Sequence, residues 1–262
     1  MQIDPFFQIP QHTLETPSGP AELPILLKEG DYSVFLFMVD KPLVDELLQR
    51  TGLRPAMNLG KKTFLALVMG HYSSCSVAPF SFVSLAVSVE REQGFRPTSP
   101  WRELFSRADR RHMGFHFLSC PVDNVRLSSV GKLAWGFPHS VSHISYRQEG
   151  SSIQAVARCA ESNETFLQVR SKSLPFFRID SMDFTMFSVL DNKIIRTLFP
   201  TRCKFTLNVP ISFKLRTGDS QHPMSNIIRK LNLENKKPFL CLSTPCFQGR
   251  IDTGIVVEDL DS

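Results

Sequence analysis

Residues 130–139 read VGKLAWGFPH, a stretch that joins an apolar lead-in, a Trp-Gly-Phe-Pro bend and a histidine. Glycine and proline so close together predict a tight change of chain direction, and the aromatic residues beside them predict that the bend is packed. The next residue, His139, carries an imidazole whose unperturbed pKa of about 6.5 suits proton transfer near neutral pH. Three roles stay open for it: a catalytic acid or base, a hydrogen-bond donor to a ligand, and a filler satisfied by a backbone carbonyl.

The composition is that of a globular chain with many phenylalanines. Its 262 residues fit one domain and provide enough side chains for a real core. Phenylalanine occurs 22 times, against 3 tyrosines and 2 tryptophans, so these rings either build an apolar core or line an apolar cavity. The prolines of residues 1–30 indicate an extended arm at the start of a single domain over 1–262.

The charge pattern and the cysteines limit the partners and the location. The net charge is +5, and the basic residues are spread along the chain apart from the short cluster 107–111, which contains an acid. A nucleic-acid-binding surface needs a denser basic stripe, so we expect no nucleic-acid partner. The longest apolar runs, such as residues 34–39, have the length of a strand, which predicts no membrane span. The opening lacks a secretory signal and the 6 cysteines form no Cys-x-x-Cys pair, which favours free thiols in the cytoplasm.

Apolar periodicity predicts a chain made mostly of strands. Residues 33–39 form the first strand, and a helix follows from Asp40. A polar crossing over 91–111 holds a short helix that starts near Ser99, and a further helix begins near Pro223. The other predicted strands cover 63–69, 82–89, 113–119, 141–147, 153–159, 165–171, 176–190, 194–199, 203–215 and 239–248. Many strands with few helices predict a mainly β (α+β) fold whose antiparallel sheet closes or folds over itself.

One face of the predicted strand 82–89 consists of small residues and a single phenylalanine. Alternation places valine and leucine on one side of this strand, and on the other side Phe82, Ser84, Ala86 and Ser88. Such a face suits either a cavity or close packing against another element, and both interpretations stay open.

Two histidine pairs, His112 with His116 and His139 with His143, have the spacing at which a helix would present both rings to one metal ion. Both pairs lie in strand-like sequence, where four residues span about 13 Å and the rings do not share an ion. The chain also lacks an HExxH motif, a glycine-rich phosphate loop and a G-x-S-x-G elbow. We therefore expect neither a metal site nor a cofactor.

The stretch at 130–139 resembles the active-site segment of the acetoacetate decarboxylase family, whose pattern is Val-Gly-Arg-Glu-hydrophobic-Trp-Gly-Tyr-Pro-Lys. Residues 72–83, YSSCSVAPFSFV, are similar to the family's Tyr-x-x-Thr-Ser-Ile-Gly-Pro-Tyr-Asn-Glu-Val. DPFF at 4–7, TPSGP at 16–20 and HPM at 222–224 are similar to segments of bacterial members. The resemblance covers nearly the whole chain. It implies a cone-like, largely antiparallel β-barrel with a few flanking helices, often assembled as a homo-oligomer.

The sequence departs from the family pattern at the residues that carry its chemistry. The family lysine, which forms a Schiff base with a β-keto acid, is replaced by His139, and the tyrosine before the proline by Phe137. The family's Tyr-Asn-Glu is replaced by residues 80–82, FSF, so a pocket carboxylate is lost, whereas the arginine position keeps its charge as Lys132. Because an imidazole cannot form the imine that a primary amine forms, we expect no Schiff-base decarboxylation. The alternative is that Lys132 folds back and takes over from the missing lysine.

These departures imply a pocket that has changed from polar to apolar, and three functions stay open. The first is binding of a small keto, carboxylic or apolar carbonyl compound without covalent chemistry, through the side chains of Phe80, Phe82, Lys132, Trp135 and Phe137. The second is a lyase, hydratase or isomerase reaction on a keto compound, with His139 as the catalytic acid or base. The third is a structural or assembly role, which predicts no concave pocket behind Phe82, Phe137 and His139.

Overall fold

The computed structural model describes residues 4–96 and 99–261, which form eighteen strands and four α-helices. Residues 1–3 of the predicted arm, residues 97–98 of the predicted crossing and residue 262 lie outside the described residues. The strands are β1 (His12–Leu14), β2 (Ala21–Leu23), β3 (Ile25–Asp40), β4 (Leu53–Pro55), β5 (Asn58–Leu59), β6 (Lys62–Cys75), β7 (Phe80–Arg91), β8 (Met113–Val122), β9 (His139–Glu149), β10 (Ser152–Cys159), β11 (Thr165–Asp180), β12 (Phe184–Leu190), β13 (Lys193–Phe199), β14 (Thr201–Arg202), β15 (Lys204–Arg216), β16 (Leu240–Thr244), β17 (Gln248–Ile251) and β18 (Ile255–Asp259). The helices are α1 (Lys41–Leu47), α2 (Pro100–Glu103), α3 (Val125–Trp135) and α4 (Pro223–Lys230).

Nine of the strands form a closed ring through their hydrogen bonds. In ring order they are β3, β6, β7, β8, β9, β10, β11, β15 and β16, and the pairing of β16 with β3 closes the circle. Every neighbouring pair in the ring is antiparallel except β8 with β9, where Cys120 lies opposite His139 in a parallel pairing. Strands β12, β13 and β18 continue outward from β8. The expected mainly β fold, with a largely antiparallel ring-like sheet and few helices, is confirmed.

Strand β7 of the ring buries both of its faces, and each face contributes to a different apolar cluster. On β7, Val83 and Leu85 point into one cluster, against which α1 and α4 pack. Phe82 and Ala86, on the opposite face of the same strand, point into the other cluster, which also contains Trp135 at the end of α3. Because successive side chains of a strand point to opposite sides, one apolar strand can serve both clusters.

Three helices begin where the sequence indicates: α1 after Asp40, α2 after Ser99 and α4 at Pro223. A proline in the first turn is tolerated because the first N–H groups of a helix have no partner within it. Helix α3 is absent from the sequence-based expectation, although Asn124 before it and Gly136 after it are ordinary start and stop signals. Among the described residues, no helix is long and apolar enough to cross a membrane.

Two long strands expected from the sequence are each interrupted. The expected strand 176–190 is divided between β11 and β12, and the Asp183 carboxylate between them accepts a hydrogen bond from the Thr201 N–H at 2.9 Å. The expected strand 239–248 is divided between β16 and β17. Pro245 lies at this interruption because proline cannot donate a hydrogen bond to a sheet.

Candidate functional site

Helix α3 and strand β9 hold His139 between them. The Asn124 side chain accepts a hydrogen bond from the backbone N–H three residues later, at 2.9 Å, and so caps the start of the helix. Gly136 ends the helix with a left-handed φ of 64°, a conformation that glycine adopts at least cost. Phe137 and Pro138 then lead the chain directly into β9, whose first residue is His139. This bend therefore determines where the imidazole lies.

The imidazole of His139 packs against the backbone of α3. Its Nδ1 is 3.3 Å from the carbonyl oxygen of Leu127, so Nδ1–H donates this hydrogen bond and Nε2 is left as an acceptor. A Cβ atom added to Gly131 would lie only 2.1 Å from Nδ1, so a side chain at this position would displace the ring. Burial lowers the pKa of His139 to about 4, and the ring is neutral at neutral pH.

A cavity of about 60 Å³ adjoins His139. Phe80, Phe82 and Phe137, all expected to contact a ligand, line this cavity together with the histidine. The rings fill much of the space, since the centroids of Phe80 and Phe82 are 6.2 Å apart and the Phe137 ring is 5.8 Å from the imidazole. The remaining volume corresponds to roughly two water molecules at liquid density. A purely structural role predicts no concave pocket behind Phe82, Phe137 and His139. A pocket is present there, but it is small.

A second cavity, of about 300 Å³, lies next to the first. Tyr32, Phe117, Met186 and Phe199 border both cavities and form the wall between them. The side chains around the larger cavity are almost all apolar, and they include Leu36, Phe64, Trp101, Phe184, Phe205 and Phe239. This almost wholly apolar cavity is the candidate ligand site.

The small-residue face of β7 borders these two cavities. Phe82 lines the smaller one, and Ala86 and Ser88 line the larger one. Ala66, which lies opposite Ala86 on β6, lines the larger cavity as well. Of the two interpretations of this face, the cavity is the correct one, because short side chains leave space where long ones would fill it.

Buried hydroxyl and thiol groups are among the polar groups around the two cavities. Burial raises the pKa of the Tyr32 and Tyr72 hydroxyls, and it raises that of the Cys120 thiol to about 12. Among the described residues, no lysine or arginine borders either cavity, and the one carboxylate that does is that of Asp180, which is exposed. The cavities therefore provide hydroxyl and thiol hydrogen-bond donors but no cation for an anionic ligand.

Lys132 and Trp135, the other two residues expected to bind a ligand, border neither cavity. Lys132 lies on the exposed face of α3. Trp135 is fully buried, its Nε1–H donates to the Asp252 carbonyl at 3.0 Å, and its ring stacks on Phe137 at 5.4 Å. Trp135 therefore packs against Phe137, which lines the smaller cavity, and does not itself border either cavity.

No sequence motif marks the wall between the cavities. Alternation over the predicted strand 113–119 places Phe115 and Phe117 on one face, but it does not say which face lies inside. Tyr32 precedes the predicted strand 33–39, whereas β3 already begins at residue 25. The available signal was the alternation of apolar residues in these strands. Alternation alone does not show which face of a strand lies inside, because that depends on how the strands pair.

The rings of His112 and His116, one of the two histidine pairs, bind different partners. His116 lies on β8, its Nδ1 is 2.9 Å from the Phe187 carbonyl oxygen, and burial lowers its pKa. His112 lies just before β8, and its Nδ1 is 2.9 Å from a carboxylate oxygen of Glu103. Each ring of this pair therefore has its own partner on a different segment.

The fold is similar to that of solved acetoacetate decarboxylases. The enzyme from Legionella pneumophila subsp. pneumophila matches with a TM-score of 0.66 over 99% of this chain and 96% of its own, at 14% identity. A second acetoacetate decarboxylase structure matches with a TM-score of 0.61 over 98% of this chain and 96% of its own, at 10% identity. The enduracididine biosynthesis enzyme MppR, solved with pyruvate, matches with a TM-score of 0.59 over 93% of this chain and 95% of its own, at 10% identity. No protein-family model and no curated protein matches the sequence.

These similarities define the class: the protein has the acetoacetate decarboxylase-like fold. The resemblance carried by VGKLAWGFPH is thereby confirmed at the level of the fold. Identities of 10% and 14% carry no activity from one protein to another, so the function has to be argued from the cavities.

Proposed function

We propose that this protein binds a small, neutral and largely apolar carbonyl or hydroxyl compound in the 300 Å³ cavity, without forming a Schiff base. The observation that carries the proposal is an apolar cavity against the ring-like sheet, separated by a shared wall from the smaller cavity that His139 lines. Its volume is at the lower end of the range for ligand pockets. Binding would be driven by removal of apolar surface from water, and the Tyr32 hydroxyl on the shared wall would orient the polar atom of the ligand.

The argument against Schiff-base chemistry is that no lysine among the described residues borders either cavity. A Schiff base needs a primary amine, His139 offers an imidazole, and Lys132 lies on the exposed face of α3. Phe82, at the position of the family carboxylate, borders the cavity with an apolar ring. We infer that the decarboxylase centre is degenerate.

The described cavity lining contains no lysine or arginine, which favours a neutral ligand over a keto acid. A buried carboxylate is costly unless it is paired with a cation or well hydrogen-bonded, and no lysine or arginine among the described residues borders either cavity. MppR, which has a similar fold, was solved with the keto acid pyruvate. The present lining supports a ligand in which the carbonyl group is kept and the carboxylate is absent.

The acid–base alternative depends on His139 alone. A base whose conjugate acid has a pKa of about 4 is a weak proton acceptor near neutral pH, where a pKa close to 7 is most effective. The cavity of about 60 Å³ beside the ring also leaves little room for a substrate. Binding is therefore the function that we favour.

Trp101 allows a direct test, because it borders the larger cavity whereas Trp135 does not. Titration with 2-decanone is expected to change the fluorescence saturably, and decanoate, of the same chain length, is expected to bind at least about tenfold more weakly. The Trp101→Phe variant should lose the change and keep the emission of Trp135. Native mass spectrometry of the purified protein would reveal a molecule retained in the cavity. Equal binding of the ketone and the carboxylate, or no saturable change with either, would contradict the proposal.

The same preparation tests the covalent alternative. Incubation with acetoacetate and cyanoborohydride is expected to leave the intact mass unchanged, because reductive trapping needs an imine on a lysine. A mass increase that one lysine substitution abolishes would show that Schiff-base chemistry persists.

Three features stay predictions from the sequence and its resemblance. They are the single domain over 1–262, a homo-oligomeric state and a location in the cytoplasm. Light scattering on the purified chain measures the second, and cell fractionation measures the third.

A further inference from the structure

Four neighbouring strands carry more positive charge than the molecule as a whole. Strands β9, β10, β11 and β15 contain eight lysines and arginines and two acids, a net charge of +6, against +5 for the entire chain. All ten side chains are exposed. We call these four strands the basic sheet; its cations are Arg147, Arg158, Arg170, Lys172, Arg178, Lys204, Lys214 and Arg216.

The strand register aligns several of these cations. Gln154 pairs with Arg147 on one side and with Arg170 on the other, and Arg170 in turn pairs with Lys214. With neighbouring strands about 4.8 Å apart, this row places three cations within about 15 Å. Two of the eight cations form ion pairs with the two acids. The other six have no acidic partner in residues 4–96 and 99–261.

Farther along β11 and β15, the exposed side chains change from basic to apolar. Arg170 and Lys172 are followed on the same face by Leu174, which lies opposite Val209. Leu174 is 59% exposed and Val209 is 52% exposed, so neither is covered by the rest of the chain. Exposed apolar side chains that lie together mark interaction surfaces. We call this group the apolar tip; it consists of Leu174, Phe176, Phe177, Val209 and Ile211.

We propose that this surface binds a bilayer that contains anionic lipids. The apolar tip would enter the boundary between headgroups and acyl chains, and the cations of the basic sheet would contact the headgroups. Apolar burial and attraction to anionic lipids are the two forces that hold a protein at a membrane surface. The tip supplies the first and the unpaired cations supply the second, side by side on the same two strands.

Charge and side-chain chemistry favour a membrane over two other partners. A two-fold contact between copies through this surface would bring two faces of like charge together, which opposes association. Single-stranded nucleic acid stacks its bases on aromatic rings, whereas Leu174, Val209 and Ile211 are aliphatic. Aliphatic and aromatic side chains together suit lipid.

The apolar tip lies close in sequence to residues that line the larger cavity. Ile179 and Phe205, which pair with each other on β11 and β15, line that cavity, and Phe177 is two residues from Ile179. A membrane-bound orientation would therefore place this part of the cavity lining near the lipid. The membrane proposal does not depend on the cavity proposal, because vesicle binding is measured without any cavity ligand.

The test is co-sedimentation of the full chain with vesicles. We expect binding to vesicles of phosphatidylcholine with about a third phosphatidylserine, loss of that binding at high salt, and weak binding to phosphatidylcholine alone. The double variant Phe176→Ser/Phe177→Ser should lower the partition coefficient at least about tenfold, because two apolar rings no longer leave water. Arg170→Glu/Lys214→Glu should lower binding to the anionic vesicles by a similar factor.

Matched substitutions elsewhere on the surface are the controls. Ile255→Ser/Val256→Ser removes two exposed apolar side chains of β18, and Lys28→Glu/Lys193→Glu reverses two exposed cations outside the basic sheet. Both should bind vesicles like the parent chain, and circular dichroism shows whether each variant is folded. The proposal is overturned if the parent chain sediments with neither vesicle or if the controls lose as much binding as the tip variants. A change of oligomeric state in the tip variants would instead assign the surface to a contact between copies of the chain. Binding of single-stranded DNA without binding of vesicles would assign it to nucleic acid.

Discussion

At the scale of single residues, two positions determine the character of the site. His139 is a buried, neutral imidazole at the position that the resemblance aligns with the family lysine. Gly131 provides the space for that ring, because a Cβ atom there would lie 2.1 Å from Nδ1. The two residues therefore form one packing unit, and substitutions at them should not act independently.

Gly131→Ala should destabilise the fold by about 1–3 kcal/mol, as overpacking of a core does. This loss would exceed the gain of up to about 1 kcal/mol that alanine usually brings to a helix interior. In a His139→Ala background the same change should be neutral or stabilising, because the clashing ring is absent. Urea unfolding of the four proteins measures the interaction. Equal losses in both backgrounds would show that Gly131 and His139 are independent.

The depressed pKa of His139 predicts a pH-dependent stability. The unfolded histidine has a pKa of about 6.5 and the folded one about 4, so the unfolded chain binds more protons between these values. The contribution of this residue to the free energy of unfolding is therefore constant above pH 6.5. It decreases as the pH falls toward 4, by about 3 kcal/mol in all.

His139→Gln should flatten the pH dependence of stability between pH 6.5 and 4. Chemical unfolding at several pH values measures the slope. His143→Gln, on the exposed side of the same strand, is the matched control and should leave the slope as it is in the parent chain. An unchanged slope in His139→Gln would mean that this residue does not titrate as described.

At the scale of elements, α3 is the segment on which the site depends. It provides the carbonyl that holds the imidazole, and it ends in the bend that places Phe137 in the cavity wall. Gly136, at the end of the helix, would bring an added Cβ atom to 2.2 Å from the Val189 carbonyl oxygen, so the end of the helix is fitted to β12. The position of the site therefore depends on how this helix begins and ends.

Asn124→Ala should lower the free energy of unfolding by about 1 kcal/mol, because it removes the side chain that caps α3. Asn124→Ser keeps an oxygen that can accept the same hydrogen bond, and most of the stability should return. Thermal and urea unfolding measure both variants. Equal stability of the alanine and serine variants would show that the cap contributes little.

At the level of the whole molecule, pairing of strands that are distant in sequence creates the cavities. Tyr32 comes from β3, Phe117 from β8, Met186 from β12 and Phe199 from β13, and they form the shared wall only when these strands are paired. The basic sheet arises in the same way, because its charges are far apart in sequence and adjacent in register.

Ala86→Leu should reduce binding of 2-decanone at least about tenfold without lowering stability. The larger side chain would occupy the cavity of about 300 Å³ and bury more apolar surface in it. Fluorescence titration and thermal unfolding measure the two effects. Ala160→Leu, at an exposed position, is the control. Unchanged affinity in Ala86→Leu would place the ligand elsewhere.

Local sequence was enough to predict the class of fold, and the resemblance aligns His139 with the family lysine. Strand periodicity, proline positions and the VGKLAWGFPH stretch depend on local chemistry, which each segment carries with it. Phe80, Phe82, Phe137 and His139 were assigned to one place by the resemblance, and all four line the small cavity.

Packing of the whole chain, in contrast, selects which faces of the strands lie inside and what they enclose. The sequence placed Lys132 and Trp135 at the ligand, whereas the rotation of α3 exposes the first and buries the second behind Phe137. The 300 Å³ cavity and the concentration of charge on the basic sheet are products of strand pairing. Periodicity indicates that a strand has two different faces, but packing between residues distant in sequence is what selects the inner one.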